Sequence, residues 1–254
     1  MGAKTALLAF VDGEVRPALL GALPAARAEV EQAVRRVHPG HQVEFDAETS
    51  LDDTNPPDDV TNATVLAGAE IFCDRRLVLD LPSELPEHLL ALGAGRRIIM
   101  HGMHSVVDWL CFAVWEDGQL VRSLSLSPDS GIMENIGEPY DFELPYWAGE
   151  HPVETDLDWP DGDGDPYPLP FHPLELGEDA LRGLFGFVIE GMPNPADVAA
   201  ETVHMHSFRV TDPTGAEQAA RAAEYAQIRA AMGPPRLYRR GPDGRMQEIG
   251  FDEL

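Results

Sequence analysis

Residues 106-VVDWLCFAVWEDGQLVRSLSL-126 decide how the rest of the chain is read. Two apolar runs flank Asp117-Gly118, a dipeptide suited to the two positive-φ positions of a type I′ turn, so the segment reads as a β-hairpin. With Glu116 facing Gln119, an antiparallel count pairs Trp115 with Leu120, Ala113 with Arg122, Cys111 with Leu124 and Trp109 with Leu126. The other face pairs Val114 with Val121, Phe112 with Ser123, Leu110 with Ser125 and Asp108 with Ser127. The first strand is apolar on both faces, as befits a central strand covered on both sides. This count sets Arg122 on the apolar face, beside Cys111 and diagonal to Trp115. A buried guanidinium needs a carboxylate, and Glu134, Glu138 and Glu143 are the nearest downstream. Such a pair would dock the downstream segment onto the sheet. Trp109, Arg122 and Glu134 are the candidate binding residues of this region.

Upstream, Thr5–Val11 is a short apolar run closed by Asp12-Gly13, the pattern of a buried strand. Val30, Ala33, Val34 and Val37 recur at helical spacing until His38-Pro39-Gly40 stops them, and a strand is expected over Gln42–Phe45. Pro17 and Gly21 allow only a shorter helix before that. Residues 46–62 hold six acidic residues and two prolines and read as an exposed loop. Ala69–Cys73 and Leu77–Leu81 are expected strands. Ser83 is placed to cap a helix carrying Leu85, Leu89, Leu90 and Leu92 up to Gly93, and Arg96–Met103 resumes as a strand.

Downstream, residues 128–172 lack periodicity and carry eleven acidic residues between Glu134 and Asp165, which predicts an irregular excursion. Leu181, Leu184, Phe185, Val188 and Ile189 form a helical stripe, and Val203–Val210 a strand. Thr214 and Glu217 suit a capping box for an Ala-rich helix ending at Gly233-Pro234-Pro235, with a last hairpin around Pro242-Asp243-Gly244. The expected architecture is one α/β domain over residues 1–254. It has a central mixed sheet containing the hairpin 106–126, flanking helices and long acidic loops.

Asp and Glu total 44 against 18 Lys and Arg, a formal charge of −26. Nucleic acid and anionic membrane surfaces are disfavoured as partners, because both need a basic face. A basic protein or a divalent cation fits better. No run approaches the roughly 20 apolar residues of a membrane span, and the N-terminal apolar run is too short for a signal peptide. Cys73 and Cys111 lie in apolar stretches, the setting of packed reduced thiols. A cytoplasmic location is expected.

The densest polar cluster is 101-HGMHSVVDW-109. His101, His104 and Asp108 are the candidate catalytic residues of a metal-dependent hydrolase, with 128–172 as its lid. His204 and His206 lie two apart on an expected strand and so share a face. Convergence of His101, His104, His204 and His206 would make a metal site. Asp161, Asp163 and Asp165 have the spacing of a calcium loop. Pro166 replaces its turn glycine and His172 its bidentate Glu, which excludes an EF-hand. Neighbouring residues such as Ser105, His104 and Asp108 cannot align as a triad, and no nucleophile elbow, dinucleotide fingerprint or Cys-x-x-Cys occurs. No organic cofactor is expected.

MGAKTALLAFVDG, HGMHSVVDWLCFAVWEDGQLVRSLSLSPDSGIMENIGEPYDFE and LPFHPLELGEDALRGLFGF resemble a family of uncharacterised actinobacterial proteins. The resemblance implies a bacterial cytoplasmic protein and carries no assigned activity. WEDGQLVRSLSLSP also resembles, more loosely, bacterial immunity and regulatory domains. Two functions follow from the sequence. One is a non-enzymatic binding or regulatory protein that engages a basic partner through its acidic loops. The other is the hydrolase at His101, His104 and Asp108.

Overall fold

A computed structural model describes residues 2–21, 23, 25–153, 167–231, 237–240 and 246–249. The chain forms two compact units, one of Met1–Val153 with Tyr167–Thr211 and one that takes in Asp212–Leu254. In chain order the first contains β1 (Lys4–Val11), α1 (Val15–Leu20), α2 (Arg27–Val37), β2 (Gln42–Ser50), β3 (Val60–Leu66), β4 (Ala69–Cys73), α3 (Glu87–Leu92), β5 (Arg97–His104), β6 (Trp109–Glu116), β7 (Gln119–Ser127), β8 (Gly131–Ile136), α4 (Leu144–Trp147), α5 (Pro173–Phe185) and β9 (His204–Thr211). The second contains α6 (Ala216–Ala231) and the antiparallel pair β10 (Leu237–Arg240) and β11 (Met246–Ile249). The turn expected at 242–244 and the helix stop at 233–235 lie outside the described residues. Among those residues no helix is long and apolar enough to cross a membrane.

Nine strands form one sheet in the order β2-β9-β3-β4-β1-β5-β6-β7-β8. Every pairing is antiparallel, which corrects the expectation of a mixed sheet. Short connections explain it, since β3 to β4 and each step from β5 to β8 are too short for the crossover that parallel neighbours need. Both faces are buried nonetheless. Leu7, Ala9 and Val11 of β1 pack with α1, α4 and α5, while Leu8 and Phe10 pack with α2 and α3. Antiparallel strands covered on both sides read as continuous apolar runs, and β1 and β6 do so.

Asp117 and Gly118 both have positive φ (49° and 76°), and Glu116 and Trp115 face Gln119 and Leu120 as counted. The ladder then shifts by one residue at Val121, so that Val114, not Ala113, opposes Arg122. This bulge moves Arg122, Leu124 and Leu126 to the α5 side of the sheet and Ser123 and Ser125 to the other. Arg122 therefore lies away from Cys111 and Trp115, with its guanidinium 5.8 Å from the Phe112 ring centroid.

Other boundaries also differ. Residues 46–50 are not loop but the second half of β2, and β3 begins at Val60. Edge strands carry charge to block further pairing, and that charge masked the strand signal. Leu77–Leu81 forms no strand; a 3₁₀ turn over Arg75–Leu77 stands there, capped by Asp74. Ser83 caps no α-helix, because Leu85-Pro86 separates a 3₁₀ turn at Pro82–Glu84 from α3. Gly186, at φ 87°, ends α5 before Val188 and Ile189. The 128–172 segment is built into the fold where it is described. β8 pairs with β7, and Tyr146 and Phe171 join the core, with Tyr140, Phe142 and Trp147 packed against it.

Candidate metal centre

The two histidine pairs do not meet. His204 and His206 stand on β9 and His101 and His104 on β5, with β3, β4 and β1 between them. Four strand spacings put the pairs about 19 Å apart.

His101 is fully buried and both ring nitrogens are used. Nε2 lies 2.9 Å from the Gly177 carbonyl, which can only accept, so Nε2 carries the proton. Nδ1 therefore accepts from the Thr5 hydroxyl at 2.8 Å. Burial outweighs the Gly177 hydrogen bond and lowers its pKa to about 4. It is a neutral core residue with no lone pair free for an ion. His104 Nδ1 accepts from the Val106 amide at 3.3 Å, and burial followed by the Lys4 charge lowers its pKa. Asp108, at φ 46°, has its carboxylate 3.7 Å from His172 Nε2. The structure gives His101, His104 and Asp108 no common donor set, because His101 is closed on both sides.

The binding candidates divide in a similar way. Of the three carboxylates considered for Arg122, Glu143 is the one that reaches it, through Nε–Oε1 at 2.9 Å and Nη2–Oε2 at 2.5 Å. Both side chains are buried, at 1% and 0% exposure, so the pair is internal and docks the 137–147 segment on the sheet. Glu134 instead accepts from the Ser83 amide at 3.1 Å and from the Ser83 and Ser123 hydroxyls. Trp109 packs against the core on the α2 side, and its indole N–H, buried, has no hydrogen-bond partner.

His204 and His206 do find a third donor, Glu48 of β2. Among the described residues these three form the one group of three or more His, Cys, Asp and Glu side chains whose ligand atoms all lie within 4.8 Å of one another. Glu48 Oε2 stands 2.9 Å from His204 Nε2 and 2.6 Å from His206 Nδ1. Placement follows from the ladder. His206 opposes Glu48 and His204 opposes Ser50, while an irregularity between Phe45 and Ala47 adds one residue to β2. Strict alternation from the buried Val43 would turn Glu48 away from the histidines. The extra residue, Asp46, restores it to their face.

The His206 ring is what makes the group unusual. Its Nε2 lies 3.3 Å from the Ala25 carbonyl, and a proton held on Nε2 leaves Nδ1 as a lone pair facing Glu48. That lone pair faces a carboxylate oxygen and has no hydrogen-bond partner, although the residue is only 6% exposed. Two electron-rich atoms at 2.6 Å repel unless a proton or a metal ion lies between them, and a proton on Nδ1 makes the contact an ion pair. Ligand atoms around a tetrahedral zinc ion stand about 3.3 Å apart, so an ion requires Glu48 to withdraw by several tenths of an ångström. An exposed carboxylate on an edge strand can do that. With an ion on Nδ1, the Ala25 carbonyl would serve as the outer-sphere acceptor that metal-bound histidines characteristically hold.

Sequence reasoning found His204 and His206 from their spacing and missed Glu48. The only available signal was a carboxylate on whichever strand neighbours β9, and that neighbour is set by tertiary order. The calcium-like triplet Asp161, Asp163 and Asp165 lies outside the described residues. Cys73 and Cys111 are buried, free thiols, and burial pushes both pKa values up.

The chain belongs to a family of unknown function (DUF6928), whose model matches residues 5–208, a span that includes all three donors. No curated protein and no solved structure matches the chain.

Proposed function

We propose that this family member is a metal-dependent protein that holds one divalent transition ion between Glu48, His204 and His206. The convergence of the buried Nδ1 of His206, His204 Nε2 and the Glu48 carboxylate within 4.8 Å carries this reading. Two imidazoles and one carboxylate suit zinc or iron(II), and three protein ligands leave at least one position for water or substrate. A structural zinc site is closed by four ligands, so the open position favours Lewis-acid chemistry. The ion would lower the pKa of a bound water toward about 7 and supply hydroxide without a separate base. Metal-dependent hydrolysis is thereby assigned to β2 and β9 rather than to His101, His104 and Asp108.

The test is calorimetric titration of chelator-stripped full-length protein with zinc and with cobalt(II), at an ionic strength that screens the acidic surface. One equivalent should bind, and His206→Ala, His204→Ala and Glu48→Ala should each weaken binding by more than the about 10–100-fold typical of outer-sphere changes. His104→Ala should bind like wild type. Equal affinity in all four variants, or no binding to the wild type, refutes the reading.

The exposed outer edge of β2, with Glu44 and Asp46 beside the site, supports a second reading as a docking edge for a basic protein. A partner retained at low salt and released at high salt, and lost on Glu44→Lys with Asp46→Lys, would support it. Retention by that double variant would remove it.

A further inference from the structure

We infer that the open position of this centre receives an oxyanion, a phosphate or carboxylate group, which Arg27 binds from the first turn of α2. The inference rests on the metal reading above and adds the ligand class.

Arginines in this chain are heavily committed. Among the described residues of the larger unit, Arg16, Arg35, Arg36, Arg75, Arg76, Arg96, Arg97, Arg122, Arg182 and Arg209 each hydrogen-bond a carboxylate or a carbonyl. Arg27 does not, although the chain carries 44 acidic residues. Its guanidinium lies 4.6 Å above the centroid of the Phe45 ring. That same ring meets His206 edge-on, at 6.3 Å between centroids, so a single aromatic side chain touches both the unpaired cation and a metal donor.

Charge decides what fits. A divalent ion held by one carboxylate and two neutral imidazoles keeps a net charge of about +1, and Arg27 adds another. The ion and Arg27 thus place two positive charges together, against which Glu44 and Asp46 stand on the same edge strand and Glu29 in the same helical turn. A neutral or cationic ligand would leave Arg27 unpaired, whereas the planar guanidinium matches the paired oxygens of phosphate or carboxylate. Phe45 remains 38% exposed and offers an apolar wall beside the anion.

Cobalt(II)-loaded full-length protein tests this, with visible absorption of the ion as the readout and inorganic phosphate and acetate as separate probes. Either anion should change the spectrum saturably, and the tighter one identifies the group. Arg27→Ala should weaken that anion about tenfold or more, the usual loss of a charge-assisted hydrogen bond, while cobalt affinity stays unchanged. Arg27→Lys should recover part of the loss. The inference is overturned if neither anion alters the spectrum, if Arg27→Ala binds the anion as wild type does, or if metal-free protein binds it equally well. Failure of cobalt to bind at all refutes the metal reading and this one with it. Normal cobalt binding without an anion effect refutes this one alone.

Discussion

Removing the Glu143 carboxylate isolates the energetics of the buried pair that ties the 137–147 segment to the sheet. Glu143 accepts two hydrogen bonds from Arg122, one from the Tyr140 amide at 2.8 Å and one from the Trp147 indole at 3.4 Å. Arg122 also donates to Asn135 Oδ1 at 2.7 Å, the Ile136 carbonyl at 2.9 Å and the Ser123 carbonyl at 3.1 Å. In Glu143→Ala the guanidinium keeps those neutral acceptors but stays buried without a counter-charge, a loss of about 3–5 kcal/mol. Glu143→Gln retains one acceptor oxygen and turns an amide N–H₂ toward a donor, so it should fall at the lower end of that range. A domain of this kind has only about 5–15 kcal/mol in total, which makes either change visible as a large fall in urea midpoint by circular dichroism. Replacing both partners, as Arg122→Met with Glu143→Leu, removes the stranded charge and should recover most of the loss. The reasoning fails if Glu143→Ala costs under about 1 kcal/mol, or if the double variant is as unstable as the sum of the singles.

Two further outcomes follow from the same packing. His101 is held at about 4 against an ordinary 6.5, so the unfolded chain takes up a proton that the folded one refuses. Stability is full above pH 6.5 and falls as pH drops toward 4, by on the order of 3 kcal/mol; denaturation midpoints measured across that window should show the fall, and His101→Gln should flatten it. Gly102 leaves no room for a methyl group, because a Cβ there would lie 2.5 Å from Val78 Cγ1, 2.8 Å from Trp109 Cη2 and 2.9 Å from Cys111 Sγ. Gly102→Ala should therefore destabilise by about 1–3 kcal/mol through overpacking, and a midpoint equal to wild type would show that the β5–β6 face has slack.

Much of the framework follows from local pattern alone. β1, β4, β5, α2 and the hairpin turn combine apolar runs or helical spacing with a clear stop, and the structure has each of them. The elements that escape are those whose stability comes from neighbours. β2 carries Glu44, Asp46 and Glu48 on an exposed edge, and its second half is held by pairing with β9 rather than by burial of its own. β3, 60-VTNATVL-66, has polar residues on a buried strand because Thr61 meets His38 and Asp74, and Asn62 meets Asp53, across the chain. Arg76 and His38 together hold the buried Asp74 at about 2 even though burial alone would raise it, so a carboxylate that reads as surface is a core residue. β8 is anchored by the Ser83 and Ser123 bonds to Glu134. Apart from Arg76, two residues from Asp74, these partners are distant in sequence.

Side-chain facing is the deeper limit, and it bears directly on function. Alternation assigns a face only while each residue opposes one partner, and both Glu48 and Arg122 lie just past a position where that fails. At Val121 the extra residue carries Arg122 to Glu143; at Asp46 it carries Glu48 to His204 and His206. A bulge costs a ladder bond and leaves no hydrophobic signature, so it is invisible to a count of apolar positions, yet it chooses which face receives the charge. The histidine pair could be recognised because His204 and His206 share one uninterrupted strand. The carboxylate that turns the pair into a candidate metal centre could not, since it depends on the β2-β9 adjacency and on one inserted residue. In an antiparallel sheet closed over by helices, that inserted residue is what separates an acidic edge strand from one side of a candidate metal site.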